Sequence, residues 1–270
     1  MALRFSPALQ NFIASTGSWK DALDGGIIEV YTGSQPATPD LAVTGTLLVT
    51  FTSSGDAFTP ETRALGVLTL SGTGAGSVDT LTLLGKELMG SSTAYNTSLI
   101  QTAADVCLKI NRNPKNKWVT ATNSGTAVIT LTAVPGLGAL LNSAALTITS
   151  TTLTSAVTST TFGSGTGGGT AGVDAVNGLK MDYNAAAGLI TKDVTQTWSG
   201  TAVAVGTQTA GWFRVKGSVS DAGALDSGAV YLRMDGAVAT SGAQMNMSST
   251  SITYGAVQTL SAFNFTVPAA

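Results

Sequence analysis

Short segments of alternating polarity, each closed by turn residues, constrain this chain more than any other feature. "GIIEVY", "GTLLVTFT", "GLKMDY", "GWFRVKG", "AVYLRMDG", "QMNMSSTSITY" and "LSAFNFTVP" are rich in β-branched and aromatic residues, and Gly, Asn, Asp, Ser or Pro separates them. Side chains that alternate over so few residues suit strands with one face covered, and frequent turns bring such strands together antiparallel. The expected fold is mainly β: an antiparallel β-sandwich or jelly-roll-like domain.

Two short helices are expected ahead of the strands. Ser6 caps the first, Pro7 suits its opening position, and Leu9, Phe12 and Ile13 fall at helical spacing. The second follows Ser18, with Trp19 and Leu23 on one face and Gly25-Gly26 at its end. Packing against the protein's own sheet is the ordinary use of such stripes.

The middle of the chain differs. Between about residues 66 and 172 only Tyr95, Trp118 and Phe162 are aromatic, and the other 14 of the 17 aromatic residues lie in the flanks. This composition shift suggests a small inserted α+β domain over 66–172, interrupting a β domain made of 1–65 and 173–270. Within it, "VLTLSG" and "DTLTLLGKEL" read as strands. "TSLIQTAADVCLKI" reads as a helix, and "KWVTATNSGTAVITLTAV" as a hairpin around Asn123-Ser124-Gly125. The run "GSGTGGGTAG", residues 163–172, has the composition of a flexible return linker and lacks the lysine of a phosphate loop.

Charge and reactive side chains are scarce. Thirteen Lys and Arg stand against 15 Asp and Glu, a net charge of -2, and charged residues make up only 10% of the chain. Soluble domains usually carry about a quarter. A near-neutral chain without a dense basic cluster gives no footprint for nucleic acid. No stretch approaches the roughly 18 apolar residues of a membrane span, and the amino terminus lacks the layout of a signal peptide. The expectation is a chain that stays soluble where it is made.

Histidine is absent and Cys107 is the single cysteine, so no disulfide within the chain and no cysteine-based metal site can form. Without imidazole, a serine or cysteine nucleophile lacks its usual base. The acids are scattered without metal-ligand spacing. No catalytic, cofactor-binding or metal-binding residues are therefore assigned, and no cofactor is expected. Cys107 reads as a small buried hydrophobe. Lys109, Arg112, Lys115 and Lys117 read as a solvated helix end, where the helix dipole favours positive charge. Arg214 and Arg233 lie in strands between apolar neighbours and are expected to pair with acids on a wet sheet face, ahead of the alternative of a subunit interface, with Asp235-Gly236 forming a turn.

With residues 66–172 set aside, the flanks resemble a family of small β-rich virion proteins of tailed bacteriophages. The resemblance covers about residues 1–62 and 175–270, and its most specific pieces are "YTGSQPATPDLAVTGTLL", "TWSG", "AGWFR" and "DGAVATSGAQMNMSSTS". It implies a non-enzymatic structural protein of the virion, assembled in the host cytoplasm. The leading expectation is a head decoration or cement protein that forms a homo-oligomer and stabilises the capsid lattice through the major capsid protein or other virion proteins. A tail, collar or fibre-associated structural or adhesion protein is the alternative. Arg4, Phe5 and Trp19 of the N-terminal arm are the candidate partner contacts, and Pro36 and Pro39 are expected to stiffen the corner between two strands.

Overall fold

The computed structural model describes residues 3–72, 75–152, 154–156, 161–163, 169–184 and 188–266. The chain is mainly β and its sheets are almost wholly antiparallel. It divides into two compact units, one of Met1–Glu61 with Ala175–Ala270 and one of Thr62–Asp174.

The first unit opens with β1 (Arg4–Phe5), α1 (Pro7–Ser15), α2 (Trp19–Leu23), β2 (Ile27–Thr32) and β3 (Leu47–Ser53). Both helices start where their side chains allow. The Ser6 hydroxyl accepts from the Leu9 N–H with Pro7 beginning the helix, and Ser18 and Asp21 cap each other's backbone N–H groups.

The second unit holds β4 (Leu65–Ser71), β5 (Ser77–Leu83), β6 (Lys86–Glu87), β7 (Thr93–Ala94), α3 (Leu99–Arg112), β8 (Val119–Asn123), β9 (Val128–Ala133), β10 (Ala144–Thr151), β11 (Thr154–Ala156) and β12 (Thr161–Phe162). One sheet runs β12-β10-β5-β6 with β7 beside β5, and another runs β11-β4-β9-β8. Alternate residues of the longer strands, such as Leu68, Leu70, Leu81, Leu83, Ile129 and Leu131, are buried in one core. The helix α3 adds Ala103, Val106, Cys107 and Ile110 to that core. The hairpin of β8 and β9 turns at the expected place, pairing Asn123 with Ile129. Of "GSGTGGGTAG", residues 164–168 lie outside the described residues.

The first unit resumes with β13 (Met181–Asn184), β14 (Leu189–Lys192), β15 (Trp198–Thr201), β16 (Thr207–Lys216), β17 (Arg233–Ala239), β18 (Met245–Asn246), β19 (Ser251–Thr253), β20 (Val257–Leu260) and β21 (Asn264–Thr266). Its main sheet runs β1-β17-β16-β2-β3-β15-β20, with β18 beside β17 and β19 beside β16, and β13-β14-β21 form a separate sheet. "QMNMSSTSITY" therefore makes two short strands rather than one. Two motif glycines are explained by backbone approach. A side chain at Gly200 of "TWSG" would place its first carbon 2.0 Å from the Thr50 carbonyl oxygen. One at Gly211 of "AGWFR", where the β16–β2 register shifts, would lie 2.0 Å from the Gly33 carbonyl oxygen.

The centre of this sheet is covered on both faces. Ile28, Val30, Phe213, Val215 and Met234 point to one side, where Phe213 meets Phe263 with ring centroids 5.9 Å apart. The contacts continue from Phe263 to Phe265, Trp19 and Phe5, at 6.4, 5.7 and 4.6 Å. Five of the 14 aromatic residues of the flanks stand in this chain of rings.

The opposite face overturns two expectations. Arg214 and Arg233 are both fully buried, not on a wet face. Asp235-Gly236 lies inside β17 and is not a turn. The Asp-Gly turn signal is overridden by packing. Gly236 leaves room for the Phe213 ring, which would come within 2.5 Å of an added side-chain carbon, and Asp235 is held by Arg214.

Candidate functional site

Strand parity places Glu29 and Tyr31 of β2, Trp212, Arg214 and Lys216 of β16, and Arg233 and Asp235 of β17 on one sheet face. Register then makes neighbours of them. Arg214 stands between Glu29 and Asp235, and Lys216 stands beside Arg233. Arg214 Nε and Nη2 donate to the two Asp235 carboxylate oxygens, each at 2.7 Å. Arg233 Nε and Nη2 donate to Asp221 at 2.7 and 2.6 Å. Lys216 Nζ lies 2.6 Å from Glu29 Oε2, which also accepts from the Tyr31 hydroxyl.

The remaining guanidinium donors reach the turn-rich loop 33–46. Arg233 Nη1 donates to the Pro39 carbonyl at 3.0 Å, Arg214 Nη1 to the Leu41 carbonyl at 3.2 Å, and Arg4 Nη1 to the Pro36 carbonyl. The loop is thus held by its carbonyl groups. The Asp226 N–H donates to the Asp40 carbonyl at 2.7 Å and the Val43 N–H to the Gly223 carbonyl at 2.9 Å, which adds the segment after β16 to the same cover. Pro36 and Pro39 supply no N–H of their own but fix φ, and a carbonyl on a fixed backbone is a well-placed acceptor.

These charges lie out of water, where a pair is favourable only when every donor and acceptor is used. The forks use both carboxylate oxygens of Asp235 and of Asp221, while Trp212 Nε1 on the same face and Asp40 Oδ1 at the rim are buried without a partner. Burial pushes the Asp235 carboxyl above its ordinary value, with Arg214 acting against that rise. Burial acts in the same direction on Asp221, but there the Arg233 bonds and the Gly223 N–H prevail and hold the carboxyl low. Burial, with Glu29 beside it, also raises the Tyr31 hydroxyl. Asp40, at the rim, is raised by burial and by the nearby Asp226.

The N-terminal candidates divide between the two faces. Arg4 pairs in register with Asp235 and belongs to the ionic side, whereas Phe5 pairs with Met234 and joins Trp19 in the ring chain. All three are partly exposed. Arg4 and Phe5, with Pro7, Gln10, Thr38 and Asp40, line a shallow groove of about 420 Å³, and Trp19 does not.

Arg214, Lys216, Glu29, Asp221 and Asp235 had no place in the site read from sequence. Part of their signal is present as ionisable residues two apart on a strand, and so on one face: Glu29/Tyr31, Arg214/Lys216 and Arg233/Asp235. Among the described residues no three side chains of Cys, Asp or Glu converge as metal ligands, and no helix is long and apolar enough to cross a membrane. The arrangement fixes a loop and a rim. No known protein family, curated protein or solved structure matches this chain.

Proposed function

We propose that this chain is a non-enzymatic structural protein of a tailed-phage virion, acting as a head decoration or cement protein on the capsid lattice. The motif resemblance of residues 1–62 and 175–270 suggests the class. The placement of charge is the observation that favours it. Seven charged side chains, Glu29, Glu61, Arg214, Lys216, Asp226, Arg233 and Asp235, are buried out of 28 in the sequence. A chain already poor in charge thereby loses still more of it from its surface. Apolar side chains stand out instead. Val203 and Val205 on one turn, and Tyr254 and Val257 on the turn and strand bonded to it, are 55–81% exposed. Contiguous exposed apolar groups with few charges suit coverage by another protein.

In this reading the first unit is the lattice-bound base, with a β-sandwich or jelly-roll-like core, and Thr62–Asp174 is a domain inserted into it. Retention comes from repetition: many copies, each with a modest interface, hold by multivalency. Heads assembled without the chain are expected to open at lower temperature, and purified chain added back should bind them and restore the loss. Absence of binding to such heads, with unchanged heat stability, overturns the proposal.

A further inference from the structure

A second shallow groove, of about 500 Å³, lies within the Thr62–Asp174 unit, between the segment after β7 and the exposed side of α3. Its lining combines apolar surface from Tyr95 and Leu108 with three polar groups, Asn96, Asp105 and Lys109. Asp105 and Lys109 are one helical turn apart on α3, a spacing at which opposite charges commonly pair. Here they do not. Asp105 accepts from Asn96 Nδ2 at 2.7 Å and from Gln101 Nε2 at 3.1 Å. Lys109 Nζ donates instead to Ser91 Oγ at 3.2 Å and to the Ser92 carbonyl. The two charges are drawn apart and the space between them stays open.

The wall bearing Tyr95 is fixed in a strained conformation. Thr97, a β-branched residue, has φ +53, a region such residues rarely adopt. Three bonds hold it there: the Tyr95 hydroxyl donates to the Thr97 carbonyl at 2.9 Å, the Asn96 N–H donates to Thr102 Oγ1 at 3.0 Å, and Thr102 Oγ1 donates to the Ser98 carbonyl at 2.8 Å. Strain kept by surrounding bonds is common where a side chain must be presented to a ligand.

We infer that this groove binds a pyranose ring of a neutral carbohydrate. A sugar ring offers an apolar C–H face and a rim of hydroxyl groups that both donate and accept. Tyr95 and Leu108 match the first. The spare lone pairs of the Asp105 carboxylate, the Asn96 amide and the unused N–H of Lys109 match the second. With one carboxylate and one ammonium, the lining favours neither an anion nor a cation. Since Asp105 and Lys109 are held by their neighbours beforehand, little side-chain freedom remains to be lost on binding. The inference does not depend on the virion reading, because every residue it uses belongs to the second unit.

The test is an amide-shift titration of the ¹⁵N-labelled full chain with maltotriose, cellotriose, mannotriose and triacetylchitotriose, each to about 20 mM, a range set by single-ring affinities near the millimolar scale. At least one sugar should shift the Tyr95, Asn96 and Lys109 amides in a saturable way. Tyr95→Ala and Asp105→Asn, each checked for an unchanged spectrum elsewhere, should each weaken that sugar by about tenfold or more, the equivalent of one lost ring contact or charge-assisted bond. Asp105→Asn keeps the side-chain shape, so it decides the matter if Tyr95→Ala disturbs the fold. No saturable shift with any of the four sugars, or binding that Asp105→Asn leaves unchanged, overturns the inference.

Discussion

Arg214 and Asp235 stand directly opposite each other on neighbouring antiparallel strands, joined by two 2.7 Å bonds, with neither side chain reaching solvent. Removing either partner strands a buried charge, so Arg214→Ala and Asp235→Ala should each cost about 3–5 kcal/mol of stability in the first unit. Replacing both by apolar residues, Arg214→Met with Asp235→Leu, should recover much of that cost. Chemical denaturation of the four proteins checks it; equal losses in the double and single variants would contradict the account.

Arg233→Lys tests the hold on loop 33–46. Lysine keeps the charge but not the fork that binds Asp221 while reaching the Pro39 carbonyl. The Val43 and Asp226 amides, which close the cover, should exchange with solvent about tenfold faster or more, the equivalent of one lost hydrogen bond of a charged group. Amides of β2 and β3 should keep their protection. Hydrogen exchange read residue by residue separates local release from general destabilisation.

Acid should act through Asp221. Its carboxyl is held below the ordinary value of 3.8, so its contribution is complete above that pH and is lost as pH falls through the lower, folded value. Asp235, raised by burial, acts in the opposite sense: its folded form takes up a proton more readily than the unfolded chain, which favours the folded state as pH falls. Asp221→Asn should therefore flatten the loss of stability below about pH 3.8. Denaturation midpoints of both proteins between about pH 2.5 and 6, roughly one and a half units either side of the Asp and Glu range, provide the comparison.

Cys107 reports on the second unit. Its thiol is buried against the core and burial pushes its pKa up to about 11, so little thiolate exists near neutrality. Maleimide at pH 7.5, about one unit below the ordinary thiol value, should label the native chain slowly, at a rate set by opening of this unit, and should label it fully in denaturant. Rapid labelling without denaturant would contradict the packing.

The strands were largely legible because alternation and turn residues are local signals, and the helix starts at Ser6 and Ser18 were marked by capping side chains. The ionic face was not. Parity correctly set Arg214 apart from Phe213 and Val215, but it says only which residues share a face, not whether water lies beyond it. The cover comes from loop 33–46 and the segment after β16, which have no periodic pattern. Asp235-Gly236 misled for a related reason: the dipeptide favours a turn locally, while Phe213, on another strand, needs the space. The prolines were read as stiffening the corner; what the structure shows there is that the Pro36 and Pro39 carbonyls are the bonded groups, and sequence does not distinguish one carbonyl from the next. Phe5 and Trp19 were singled out with Arg4 as partner contacts, and the ring contact between the two aromatics became visible only with the helices in place.

The crossing between the units has a practical consequence. Thr59 and Val176 exchange two backbone hydrogen bonds at 3.1 and 2.9 Å within the first unit, and Thr62 and Val173 do so at 2.9 and 2.8 Å within the second. Excising residues 62–174 leaves Pro60, Glu61 and Ala175 between Thr59 and Val176, whose α-carbons in such a pair stand about 5.5 Å apart, a gap that a three-residue loop can close. The first unit should therefore accept a seamless excision of residues 62–174, or receive in their place any foreign cargo whose own ends meet, and so serve as a chassis for display.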